Sequence, residues 1–263
     1  MGPKYCFVFG CQRSGTTALT RLLHSHGAVV MGVERYKYLL TSRRGRRSFA
    51  PALFEPDRFL DFRPADTNVD PAAGQFTSHY ARAERRLRRG KVKYVGDKLP
   101  LGRKVIKTVE TRMPVPRYIF IYRDLLPVAS SFAVRARNPD DRNWPAADDY
   151  EIALERWHEA FAIADDLVDR VGGDRIFVVK YERLFNQDAR TRDAIFRFLG
   201  LHVSPQVQRH FETRTEDWED RRSRSLALSV AEQDRVLGGL DHDVLERFDH
   251  RFEEEVARFG ATP

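Results

Sequence analysis

Cysteine is scarce in this chain: Cys6 and Cys11 are the only two among 263 residues. Both fall in one strand–loop segment, which makes them poor disulfide partners, and two thiols alone cannot close a zinc site. The sequence therefore points to a reduced, cytoplasmic chain with no metal centre. Long apolar runs are missing too, so no stretch reads as a membrane span. The first ten residues lead straight into a strand-like run, without the basic, apolar and small-residue order of a secretory signal. Met1-Gly2 opens like a myristoylation signal, but Cys6 stands where Ser or Thr is wanted. No zinc-finger, RNP-like or helix-turn-helix pattern occurs, so nothing supports a nucleic-acid partner. Repeats and low-complexity tracts are absent as well.

What is present describes a globular protein. Hydrophobic residues make up 42% and aromatics 11%, and the length allows one large core, so a single domain over 1–263 is expected. The formal charge is +7. Much of the excess lies in Arg43-Arg44-Gly45-Arg46-Arg47 and between Arg82 and Lys93. Such clusters attract anions of many kinds, but a solvated helix face has the same composition, so they decide nothing alone.

Strand and helix patterns alternate along the chain. Lys4–Gly10 reads as a buried parallel strand, and Ser14–His24 as a helix with Leu19, Leu22 and Leu23 on one side. Ala28–Met31 is a short strand candidate. Residues 35–80, punctuated by Pro51, Pro56, Pro64 and Pro71, read as loops and short helices. Gln75–Arg89 reads as a basic helix, Val92–Gly96 as a strand, RYIFIY at 117–122 as the central strand, and Leu126–Arg137 as the helix after it. A polar loop at 138–149 leads to a helix over Tyr150–Val171, stopped by Gly172-Gly173. Ile176–Val179 is another buried strand and Asp188–Leu199 another helix. Ser229 and Glu232 form a capping box for C-terminal helices running to about Phe259. This alternation predicts an α/β fold, a parallel sheet flanked by helices on both faces.

The chemistry-bearing segment is FGCQRSGTT at 9–17. Gly10 and Gly15 keep the spacing of a P-loop between a strand and a helix, where free N–H groups and the helix dipole receive an anion. The lysine that would reach the β- and γ-phosphates is replaced by Thr16. A kinase or NTPase is thereby disfavoured. Arg13, Ser14, Gly15, Thr16 and Thr17 instead suit one phosphate of a mononucleotide.

RSGTT after a strand resembles the 5′-phosphosulfate loop of sulfotransferases that use 3′-phosphoadenylyl sulfate (PAPS). Many cytosolic relatives have lysine at the place of Arg13, whereas arginine is usual in the tyrosylprotein and bacterial branches. The segment YIFIYRDLLPVASS at 118–131 is similar to the family's 3′-phosphate signature. There an arginine ends a strand and a serine follows eight positions later, as Arg123 and Ser131 do here. An arginine fork grips phosphate oxygens at two places and the hydroxyl adds a third bond. A strand-end ion pair of Arg123 with Asp124 is the plainer reading of the same residues. VVKYERL at 178–184, followed by FRFLGL at 196–201, is similar to the region where the family's tyrosine lies against adenine, which makes Tyr181 that contact or a core residue. Arg221, Arg222 and Arg224 lie where relatives place a basic, glycine-containing loop over the 3′-phosphate. That glycine is missing, and Arg222 and Arg224 are the candidates carried forward.

The resemblance implies a P-loop-like α/β fold and transfer of a sulfuryl group from PAPS to an acceptor hydroxyl. The product would be adenosine 3′,5′-bisphosphate (PAP). Sulfuryl transfer needs a general base, in-line geometry and positive charge at the leaving oxygen. The transferred group carries less negative charge than a γ-phosphoryl group, so magnesium is not required. Glu34, in Gly32-Val33-Glu34, lies at the spacing from Arg13 where tyrosylprotein sulfotransferases carry their catalytic glutamate. An ion pair of Glu34 with Arg35 is the competing reading. His24 and His26 are rival bases, placed where a histidine also serves a helix dipole. Lys98, in Gly96-Asp97-Lys98, resembles the family's lysine for the transferring sulfuryl group, with a plain Asp97–Lys98 turn as its alternative. Arg13 would stabilise the leaving phosphate. Residues 35–80 and 138–158 would wall the acceptor, a glycan, small-molecule or lipid alcohol or phenol, with an anionic one among the options. A small-molecule kinase and a non-catalytic anion-binding module are the other classes.

Overall fold

The computed structural model describes residues 2–142, 144–186, 188–222 and 226–260, and among them the side chains of all but 216–222. Its frame is one parallel sheet of β1 (Lys4–Phe9), β2 (Val29–Val33), β3 (Tyr94–Lys98), β4 (Arg117–Tyr122) and β5 (Ile176–Lys180), in the order β2-β3-β1-β4-β5. Successive strand residues face opposite sides of a sheet. Cys6–Phe9, Val29–Met31, Tyr118–Ile121 and Ile176–Val179 are nonetheless buried without exception, so both faces are covered, as the expected α/β fold requires.

The helix α1 (Thr16–Ser25) joins β1 to β2. A long excursion between β2 and β3 holds α2 (Lys37–Thr41), α3 (Arg43–Ser48), a 3-10 turn at Pro51–Phe54, α4 (Pro56–Leu60) and α5 (Thr77–Arg89). Then α6 (Arg103–Arg112) crosses to β4, and α7 (Leu125–Ala136) and α8 (Tyr150–Val171) lead to β5. The chain ends in α9 (Tyr181–Phe185), α10 (Ala189–Phe198), α11 (Pro205–Arg222), α12 (Val230–Gly238) and α13 (His242–Gly260).

The central strand and the 22-residue α8 have the bounds that their sequence predicts, and Gly172 stops α8 at φ 72°. Ser229 and Glu232 exchange both bonds of a capping box. Three expectations are corrected. The strand expected over Val92–Gly96 begins two residues later and continues to Lys98. A helix, α6, occupies Arg103–Arg112, where none was expected. Arg221 and Arg222 belong to the end of α11 rather than to a loop.

Strand register decides what meets at the C-terminal edge of the sheet. Val8 of β1 and Val33 of β2 both stand level with Lys98 of β3. Tyr122 of β4 stands level with Lys180 of β5. Glu34 thus emerges beside Lys98, and Arg123 emerges beside Tyr181.

The excursion is pinned by Arg35, which is wholly buried. Its guanidinium donates to the carbonyls of Phe59, Arg58 and Asp61, pairs with Asp66 at 3.5 Å, and stacks on Phe62 with its carbon 4.2 Å from the ring centre. A buried charge is tolerated only when paired and bonded in this way.

Candidate active site

The loop from Gly10 to Gly15 is built for close approach. A side chain at Gly10 would collide with the Ile121 carbonyl, and one at Gly15 would collide with the Tyr181 ring. Gly15 caps α1 at φ 88°, a left-handed conformation that glycine adopts without steric cost. Arg13, at φ 68°, is also left-handed. With no side-chain cap on α1, its first N–H groups point toward the sheet edge where an anion would sit. Thr16 and Thr17 open that helix. Ser14 differs in posture: its side chain is buried near the Cys11 thiol, and its N–H donates to the Cys11 carbonyl.

Arg13 and Ser131, 118 positions apart, meet directly: Arg13 Nε donates to Ser131 Oγ at 2.8 Å. Arg123 reaches the same loop, one guanidinium N–H lying 3.5 Å from the Arg13 carbonyl. The guanidinium of Arg123 also lies over the Tyr181 ring, 4.4 Å from its centre. Its carboxylate partner is Glu182, with Nε 3.6 Å from Oε1, and not the adjacent Asp124. Trp157 Nε1 fixes the strand end by donating to the Arg123 carbonyl at 2.9 Å. Burial, and then Asp124, push the Glu182 carboxyl up to about 7 against the pull of Arg123.

Across the edge, Glu34 Oε1 is 2.8 Å from Lys98 Nζ, and Glu34 Oε2 is 3.0 Å from Lys37 Nζ. Lys98 Nζ also donates to Thr17 Oγ1 at 3.4 Å, which ties the pair to the first turn of α1. Burial alone would raise the Glu34 carboxyl; Lys98 and then Lys37 outweigh it and hold Glu34 below its ordinary value. The competing reading, an ion pair of Glu34 with Arg35, is not what forms, because Arg35 points into the core. Glu34 has φ 52°, a conformation that costs a non-glycine residue of order 1–3 kcal/mol and persists only when its surroundings enforce it. Asp97 supplies that constraint. Wholly buried, it accepts from the N–H groups of Arg35 at 3.0 Å and Tyr36 at 3.1 Å, while Thr67 Oγ1 donates to the Glu34 carbonyl at 2.8 Å. Asp97 and Lys98 therefore form no simple turn. Burial pushes Asp97 up to about 7 despite those two bonds.

The two histidines lie elsewhere. His24 is buried, stacked on His79 with ring centres 3.7 Å apart, and its Nδ1 accepts from the Met31 N–H. Burial, then His79 and nearby arginines, hold His24 well below its ordinary value, so it is neutral rather than a cation serving the helix dipole. His26 accepts from the Ala28 N–H and meets the His202 carbonyl. Neither contacts Glu34, Lys98 or the loop.

The fold thus brings together Arg13, Gly15, Thr16, Thr17, Glu34, Lys98, Arg123, Ser131 and Tyr181. The Arg222 side chain and all of Arg224 lie outside the described residues. Sequence reasoning missed Lys37, Asp97 and Glu182. Only Asp97 and Glu182 left a trace, each being the direct neighbour of a residue already singled out.

A glycine loop at the start of α1, an arginine at the end of β4 and a parallel sheet in this order define an α/β fold whose C-terminal sheet edge carries a loop able to receive an anion. The model of the Sulfotransferase family matches residues 6–205. The chain belongs to that family and is an enzyme of sulfuryl transfer. Among solved structures, it is similar to the sulfotransferase domain from the curacin biosynthetic pathway (TM-score 0.55, 15% identity, 98% of this chain and 96% of that one). It is also similar to the sulfotransferase domain of a Synechococcus olefin synthase (0.53, 20%, 100% and 96%), and to a sulfotransferase of Mycobacterium tuberculosis (0.52, 17%, 96% and 77%). At these identities the likeness is one of fold. No curated protein matches the sequence significantly.

Proposed function

We propose that the donor is PAPS, the acceptor an alcohol or phenol hydroxyl, and PAP the released product. The observation that carries this reading is the convergence of Arg123 from a strand end, Ser131 from the helix after it and an ion-paired carboxylate on the glycine loop that holds Arg13. The 5′-phosphate site is Arg13, Gly15, Thr16, Thr17 and the N–H groups opening α1, with the backbone around Ser14 shaping the turn. The 3′-phosphate site is Arg123 with Ser131, extended by Arg222, the last residue of α11, and by Arg224. The Tyr181 ring is the face for adenine. Here the residues fit the ligand: a ring, two cationic forks and a loop that tolerates no added side chain at Gly10 or Gly15.

In the reaction, Glu34 takes the acceptor proton as the acceptor oxygen bonds to sulfur. The bond from sulfur to the bridging 5′-phosphate oxygen breaks, and that oxygen leaves with the electron pair. Arg13 and the α1 dipole stabilise the charge appearing there, and Lys98 shifts from Glu34 toward the sulfuryl oxygens. Lys98 keeps Glu34 ionised until the acceptor arrives. The chain acts as one domain over 1–263, in the cytoplasm. No helix among the described residues is long and apolar enough to cross a membrane. Acceptor walls are assigned to 35–80 and 138–158.

The test compares PAP with AMP in calorimetric titrations of Arg123→Ala. Loss of a charge-assisted contact costs roughly 1.5–3 kcal/mol, or about ten- to a hundredfold. PAP is expected to lose that much and AMP almost nothing. Equal losses would move Arg123 away from the 3′-phosphate.

A further inference from the structure

Glu182 stands in the donor site without a place in the reaction described above. It lies one residue beyond Tyr181 in α9, and its Oε1 accepts from the Asp124 N–H at 3.3 Å while lying 3.6 Å from Arg123 Nε. Its other oxygen, Oε2, is buried with no hydrogen-bond partner among the described residues, and so is Arg123 Nε. An arginine that shares one guanidinium between a buried carboxylate and an incoming phosphate cannot satisfy two anions equally. As the phosphate draws the guanidinium's charge, the carboxylate is left in a buried place beside a second anion, and its neutral form is favoured.

We propose that Glu182 couples donor binding to pH, taking up a proton when the 3′-phosphate claims Arg123. This rests on the reading of Arg123 as the 3′-phosphate residue. The charged groups around Glu182 sharpen the expectation. Arg123 and Asp124 face it from the junction of β4 and α7, and its own N–H at the start of α9 faces it from below. Lys180 at the end of β5 is engaged by Asp249 of α13 at 2.8 Å and lies 3.9 Å from Asp124. Tyr122 donates to the same Asp249. Arg123 is therefore the one cation in direct contact with Glu182 among the described residues, and it is the group that the ligand recruits.

The free carboxyl, near 7, is raised by folding and raised again by the phosphate. Binding is thus strongest below about 7 and weakens as the pH climbs through that value. One linked proton sets a ceiling of about tenfold per pH unit. The ligand's own second phosphate ionisation, near pH 6, titrates equally against wild type and variant and cancels in their ratio.

The experiment measures PAP and AMP dissociation constants for wild type and Glu182→Gln between pH 6 and 8. Glutamine keeps an oxygen for the Asp124 N–H. Relative to the variant, wild type should lose about five- to tenfold in PAP affinity across that range, with AMP flat. Calorimetry of wild type alone, in two buffers of different ionisation heat, should show proton uptake with PAP at pH 7.5 beyond that with AMP. This arm needs no folded variant. A flat PAP ratio, an equal slope for AMP, or no extra proton uptake would overturn the inference. Arg123→Ala serves as the control on its foundation. Equal losses of PAP and AMP there would remove the 3′-phosphate reading and this inference with it. A PAP-selective loss beside a flat Glu182→Gln ratio would reject the role of Glu182 alone.

Discussion

Glutamine at position 34 is the sharpest perturbation of the proposed chemistry. It keeps the side-chain length and one acceptor oxygen for Lys98, now 2.8 Å from Oε1, while its NH2 replaces Oε2, which lies 3.0 Å from Lys37. What it removes is basicity. General-base catalysis contributes about 100- to 10,000-fold, which corresponds to roughly 2.7–5.5 kcal/mol in the barrier. Turnover should fall by that amount while PAP affinity changes less than about threefold, since uniform binding is untouched. The pH profile offers an internal check. Glu34 is depressed below its ordinary 4.5, so the base form is present above that value and lost as the pH falls through the depressed one. The acid limb of kcat/KM should therefore lie below 4.5, and Lys37→Met should move it upward without abolishing turnover. Steady-state assays with a fixed acceptor and circular dichroism of each variant suffice. Near-normal turnover in Glu34→Gln, beside a folded but inactive His24 or His26 variant, would refute the assignment.

Other outcomes follow from the packing. Arg35→Ala should destabilise the fold in urea unfolding by about 1–3 kcal/mol for each buried carbonyl left without a donor, those of Phe59 and Arg58, while Arg58 still holds Asp66 at 2.6 Å and the Asp61 carbonyl. Gly15→Ala meets both a φ of 88° and the Tyr181 ring, so PAP affinity should fall by at least about tenfold, the effect of one lost charged contact, while circular dichroism stays close to wild type. His24→Ala should lower the melting temperature by several degrees, as a core deletion of about 1–3 kcal/mol does, yet retain turnover below it.

The sequence made the sheet legible because its parallel strands are buried on both faces and read as unbroken apolar runs, RYIFIY most clearly. The donor loop was legible because close approach demands glycine at fixed spacing. α6 escaped notice since its buried side is only Val105, Ile106 and Val109 amid charged residues. α11 was hidden differently: its described buried positions, Val207, Phe211 and Thr215, keep a helical spacing, but one of them is polar. The partners Lys37, Asp97 and Glu182 depend on register and on the left-handed turn at Glu34. Neither leaves a mark on local composition. The pairs considered between direct neighbours, Glu34 with Arg35 and Arg123 with Asp124, do not form: Arg35 turns into the core and Glu34 meets Lys98 and Lys37, while Arg123 meets Glu182 beyond the end of the adjacent strand.

The most direct test of the central claim is turnover of PAPS labelled in its sulfuryl group, with EDTA present, against a panel of glycan, phenol and lipid alcohols. Label should pass to at least one acceptor hydroxyl with matching release of PAP, and ATP should not serve as a donor. Magnesium-dependent phosphorylation of any acceptor by ATP, with no sulfate transfer from PAPS, would contradict the account.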